Sequence, residues 1–125
     1  MNPLSFVVLS LAGGVGAAAR LLVDGLIRNR VATAFPLGTT VINVTGSFLL
    51  GVITGLAGSH FLPEELRLIL GAGLMGGYTT FSTASFETVR LFQGRRYRAA
   101  LINAFGMLLA AVAFAGLGLW IGSLL

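Results

Sequence analysis

The 125-residue chain contains no cysteine, no lysine, three prolines and four acidic residues. Without cysteine, neither a disulfide framework nor a thiolate metal site is available. Without lysine, the net charge of +4 rests on eight arginines set against Asp24, Glu64, Glu65 and Glu87. Charged residues make up 10% of the chain, where a soluble domain carries about 25%. That shortage, with 56% apolar residues and a mean hydropathy of +0.94, excludes an ordinary soluble domain and points to a membrane protein. His60 is the only histidine. Beside Pro63 and the Glu64–Glu65 pair it reads as a solvated loop residue rather than a catalytic or metal-binding one. Arginines flanking apolar spans serve topology and lipid headgroups, so the bilayer is the expected partner and nucleic acid is not. Met1-Asn2-Pro3 lacks a positive n-region, so the first apolar run reads as a span and not as a cleaved signal.

What is present is apolar length. A helix needs about 20 mostly apolar residues to cross the hydrocarbon, and four such segments are predicted, at about residues 3–27, 37–59, 67–91 and 99–124. Together they form a single four-helix transmembrane domain covering 1–125, an all-α membrane fold. The connectors RNRVATAFP, SHFLPEELR and FQGRRYR are short and rich in charge or turn formers, so consecutive spans run antiparallel. The first and third connectors hold Arg28, Arg30, Arg95, Arg96 and Arg98, and the second holds Arg67 alone. The positive-inside rule makes the arginine-rich side cytoplasmic and places both termini outside. Glycine supplies 18 residues, about twice the usual share. Gly13 and Gly16, then Gly46, Gly51 and Gly55, then Gly71, Gly73, Gly76 and Gly77 recur at spacings that let membrane helices approach closely. Four thin helices enclose little volume, so a substrate path is expected between subunits of an oligomer.

Polar residues at membrane depth carry the functional signal. Gly76-Gly77 weakens helix preference by about 1 kcal/mol per glycine. Thr79, Thr80, Ser82 and Thr83 then compete for backbone hydrogen bonds. This predicts that the third helix is broken in mid-membrane, which is tolerated only inside protein or along a watery path. Freed carbonyls at such a break can bind a cation, and the restarting helix favours an anion. Asn43 and Ser47 lie one turn apart on one face of the second span, which Thr39 continues. A buried amide needs partners, so Asn43 either bridges helices or lines a path, and Asn103 in the fourth span has the same two roles open to it. Arg20, near the end of the first span, either snorkels to the interface or presents positive charge at a vestibule. Glu87 and Arg90, three residues apart, are expected to pair.

Taken together, GGVGAAARLL in the first span, PLGTTVINVTGSFLLG in the second and GGYTTFST in the third resemble the Fluc/CrcB family of fluoride channels. The resemblance implies an antiparallel, dual-topology-type dimer of four-helix subunits in the inner (plasma) membrane of a prokaryote. Fluoride would leave the cell passively through pores at the dimer interface, lowering cytoplasmic fluoride toxicity, with no enzymatic step. The implied cofactor is a structural Na⁺ that is not transported, held by the main-chain carbonyls of Gly76 and Thr79. Asn43 would reach into the pore, Phe81 would line it, and Ser82 and Thr83 would supply hydroxyls. Arg20 would match the vestibule arginine.

The chain departs from that family at two places. The usual TTFSTF is cut short, with Ala84 where a second phenylalanine is expected. Phe86 lies about 200° around the helix from it. The fourth span also has few hydroxyls, reading GMLLAAVAFAG after Asn103. The lopsided loop arginines favour a single orientation, so a heterodimer with an oppositely inserted paralogue stands beside the homodimer. Two other readings compete. A small proton-coupled multidrug exporter needs a carboxylate at mid-membrane, whereas Asp24 and Glu87 lie near helix ends. A non-conducting partner subunit would use its glycines and hydroxyls for packing alone.

Overall fold

The computed structural model describes residues 1–33 and 35–125. Helix α1 spans Pro3–Arg30. It opens with Asn2, whose Oδ1 accepts the Ser5 N–H at 2.8 Å, and with Pro3 at the position where a missing N–H does no harm. Helix α2, Leu37–Gly58, follows Pro36 and has no side-chain cap. The third crossing is made in two pieces. Helix α3 covers residues 64–78, with Glu64–Leu68 passing into a wide π-helical stretch Ile69–Met75 and a final turn Gly76–Tyr78. Helix α4 runs Phe81–Gln93 and ends where Gly94 and Arg95, at φ 60°, turn the chain. Helix α5, Tyr97–Leu124, contains a second π-helical turn at Ile102–Gly106.

Helices α1, α2 and α5 are each long and apolar enough to cross a membrane; α3 and α4, end to end, provide the remaining crossing. All the described elements are helical, so the chain is an all-α membrane fold with an interrupted third helix.

The core is made of backbone more than of side chains. Ile42, Met75, Leu91, Ala100 and Met107 are buried, while most leucines and phenylalanines face outward. Lipid tails are as apolar as leucine, so burying leucine between helices gains little and close contact of small residues gains more. The tightest seam joins α2 to α5. A Cβ on Gly51 or Gly55 would land on the Ala115 or Leu119 carbonyl oxygen, and one on Gly118 or Gly122 on that of Phe48 or Val52. Partners advance in the same sense along both helices, so α2 and α5 run parallel although consecutive spans alternate. Helix α1 packs on α3 in the same way, with Gly13 against Gly77, Gly16 against Leu74 and Tyr78, and Gly73 against Leu9. Two parallel pairs of non-consecutive helices thus build the bundle.

Candidate functional site at the interrupted helix

The break is two residues long. Thr79 has φ −80°, ψ 159° and Thr80 φ −147°, ψ 119°, both extended. The α3 ladder ends with the Thr79 N–H and hydroxyl both donating to the Met75 carbonyl at 3.0 Å. Beyond it, the amide of Asn43 takes the place of a helix neighbour. Its Oδ1 accepts the Thr80 N–H at 2.8 Å and its Nδ2 donates to the Thr80 carbonyl at 2.9 Å. The Thr80 hydroxyl then accepts the Thr83 N–H at 3.1 Å and caps α4.

These diversions remove the donors expected for two of the carbonyls at the break. In a continuous helix the Gly76 carbonyl would accept from the Thr80 N–H, and the Thr79 carbonyl from the Thr83 N–H. The first donor goes to Asn43 and the second to the Thr80 hydroxyl. Gly76 and Thr79, singled out in the sequence, are therefore residues whose carbonyls are released from the ladder. Released main-chain carbonyls are the donor set that a hard cation accepts, so the residues present fit such an ion.

Glycines hold the break in place. A Cβ on Gly77 would strike the Gly13 carbonyl, and one on Gly16 would lie 2.9 Å from the Tyr78 nitrogen. Gly46 of α2 lies against the Thr79 methyl and the Tyr78 ring. Thr45 donates to the Val41 carbonyl at 2.6 Å, so the Tyr78 hydroxyl, 3.1 Å from Thr45 Oγ1, is the donor between that pair. Gly76 differs: a Cβ there meets nothing nearer than the Gly71 carbonyl at 3.9 Å. It is exposed, on a side that none of the described elements covers.

Phe81, the first residue of α4, is 87% exposed, and Ser82 beside it is exposed as well. Thr83, Ala84 and Ser47 are half-buried, Ser47 one turn beyond Asn43. Arg20 is half-buried with its Nε buried and unpartnered among the described residues. Asn103 stands apart from the break. It is 2% exposed, and its Nδ2 donates to Thr88 Oγ1 at 2.7 Å and toward the Ala84 carbonyl at 3.4 Å, tying α5 to α4. The expected Glu87–Arg90 pair is not among the ion pairs of the described residues. The Arg90 guanidinium instead lies 5.8 Å from the centre of the Phe86 ring, and Glu87 Oε1 is buried without a partner among the described residues. Two contributors were not named from the sequence as site residues. Thr80 supplies both the backbone that Asn43 grips and the cap of α4; its signal was Thr80-x-x-Thr83 at a helix restart. Met107, whose sulfur lies 3.2 Å from Asn43 Nδ2, carried no signal beyond its place one turn after Asn103.

This is a small all-helical membrane protein whose interrupted helix carries diverted main-chain donors beside exposed Gly76, Phe81 and Ser82. The family model described as "CrcB-like protein, Camphor Resistance (CrcB)" matches residues 7–119. The chain is 60% identical over 124 residues to "Fluoride-specific ion channel FluC 1" of Leifsonia xyli subsp. xyli, covering 99% of this chain and 90% of that one. It is 50% identical over 114 residues to "Fluoride-specific ion channel FluC 2" of Cutibacterium acnes, covering 90% and 93%. It is 38% identical over 117 residues to "Fluoride-specific ion channel FluC" of Geobacter metallireducens, covering 93% and 94%. The chain belongs to the CrcB family.

Proposed function

We propose that the chain is a subunit of a fluoride-specific channel, working in an antiparallel pair in the inner membrane of a prokaryote. The observation that carries this reading is the diversion of two helix donors, which leaves the Gly76 and Thr79 carbonyls free beside an exposed Phe81. The names of the relatives supply the ion. Fluoride is small, so stripping its water is very unfavourable and must be offset by donors along the path. Ser82, Thr83 and the positive edge of the Phe81 ring are suited to that task. Asn43 holds the main chain that presents them. Arg20 places positive charge near the entrance, where it raises the local anion concentration.

The Gly76 and Thr79 carbonyls of both chains would hold a sodium ion, which supplies a fixed positive charge when bound. Hydrofluoric acid enters a cell uncharged and dissociates, so a passive path lets the anion leave down the membrane potential without any chemical step. The partner is a second copy or an oppositely inserted paralogue. The five loop arginines on one side against one on the other support a single orientation and hence the paralogue. Accessibility of a C-terminal tag on both faces of intact cells would overturn that preference.

The deciding experiment is efflux from liposomes containing the protein, alone and with any paralogue. Rapid fluoride release with no chloride release is expected, slowed when sodium is removed during assembly. Absence of fluoride flux from every combination would overturn the proposal, as would flux driven by a proton gradient.

A further inference from the structure

The positive charge of the molecule gathers at one end. Arg28, Arg30, Arg90, Arg95, Arg96 and Arg98 face only Asp24 and Glu87 there, with Arg20 further back along α1, while Arg67 alone accompanies Glu64 and Glu65 at the other end. At that end a cavity of about 480 Å³ opens between the end of α1, the connector before α2, the start of α2 and the end of α4. Arg28, Arg90 and Arg96 line it, together with Asp24 and Glu87.

The two carboxylates do not cancel the three cations. Asp24 lies 2.9 Å from Arg28 Nη2 and also sits against Gly38 at the start of α2, a helix end without a side-chain cap. It is held by that pair and by the helix N-terminus. Arg90 and Arg96 form no ion pair among the described residues, and Glu87 keeps one carboxylate oxygen without a donor. The cavity thus asks for an anion that also brings hydroxyl groups. Apart from Thr33, its remaining wall is apolar, including Ile27, Phe35 and Leu91. It lies at the end of α1, where the apolar side chains of Leu22 and Leu26 are exposed.

We propose that this cavity binds the phosphoglycerol headgroup of an acidic membrane lipid. Arg90 and Arg96 hold the phosphodiester, a glycerol hydroxyl donates to Glu87, and the apolar wall takes the start of the acyl chains. Basic pockets at the cytoplasmic ends of membrane helices bind anionic headgroups by this chemistry. The site is independent of the ion the channel carries.

The test is native mass spectrometry of the intact assembly after reconstitution in mixed phosphatidylglycerol–phosphatidylcholine vesicles. Retention of phosphatidylglycerol over phosphatidylcholine is expected. The double variant Arg90→Ala/Arg96→Ala should bind it about thirtyfold more weakly, and Arg90→Lys/Arg96→Lys should keep most of the binding, because a lysine still presents a point charge. Added glycerol phosphate should not displace the lipid. Equal retention of both lipids would overturn the proposal, as would unchanged retention by the alanine variant at the same assembly mass. Displacement by glycerol phosphate would assign the cavity to a soluble anion instead. Fluoride efflux is read separately, so neither result stands in for the other.

Discussion

The α2–α5 seam and the α3–α4 break are both rich in glycine, yet they use it differently. In the seam, Gly51, Gly55, Gly118 and Gly122 meet carbonyls across two unbroken helices, and the result is close backbone contact alone. At the break, Gly77, Gly16 and Gly46 bring helices equally close, but Asn43 and Thr80 then divert the donors that would have continued the helix. Glycine supplies proximity in both regions. Only an amide at the right depth, with the Thr80 hydroxyl beside it, turns proximity into diverted donors.

Overfilling the seam should have the largest effect. Gly118→Leu drives a side chain into the Phe48 backbone, and overpacking of this kind costs about 3 kcal/mol or more where backbone cannot shift. Loss of a monodisperse assembly on size exclusion is expected, and normal assembly would show the seam to be looser than its geometry. Asn43→Ala comes next. It strips partners from the Thr80 N–H and carbonyl, about 1–3 kcal/mol for each group left buried and unpaired. Fluoride efflux should collapse while the seam holds the fold; assembly lost with no separate conductance defect would favour the purely structural subunit.

The glycine pair of α3 sharpens the contrast further. Gly77→Ala collides with Gly13 and should destabilise the protomer, whereas Gly76→Ala meets open space within it. Gly76→Ala should therefore leave thermal stability of the protomer unchanged and reduce fluoride flux, read by paired melting and efflux measurements. Equal melting losses would remove Gly76 from the ion site. Ala84→Phe, which restores the family's second ring, should raise flux by a smaller factor if the missing ring limits conduction; unchanged flux would mean that the pore does not use it.

The smallest effect lies outside the spans. The hydrogen bonds from Arg67, the Nε one at 2.9 Å, hold the Glu64 carboxyl below its ordinary range. A depressed carboxylate stabilises the fold above its unfolded value and loses that contribution as pH falls through its folded value. Glu64→Gln should flatten this acid-side slope by lowering stability slightly at neutral pH and leaving it unchanged in acid, a small effect because Glu64 is exposed. A melting series across pH 3 to 7 checks it.

Much of this was legible in advance. The apolar spans announce themselves through hydropathy, and Gly76-Gly77 followed by threonines marks the break because helix preference is a local property. Which glycine meets which helix was not legible. Gly46, Gly51 and Gly55 share a spacing pattern, yet Gly46 packs on Tyr78 and Thr79 while the other two pack on α5. Asn103 looked equivalent to Asn43, but its register places it against Thr88, away from the break. The Glu87–Arg90 spacing suggested a pair, and the nearby Phe86 ring took the guanidinium instead.

By itself, then, the sequence determined that this chain belongs in a membrane and where its third helix weakens. Those properties belong to short stretches of residues and need no distant partner. Only the tertiary structure decided that the weakness becomes a break in which the donors expected for the Gly76 and Thr79 carbonyls go elsewhere. That outcome depends on an amide 37 residues away arriving at the depth of Thr80, which packing alone can arrange.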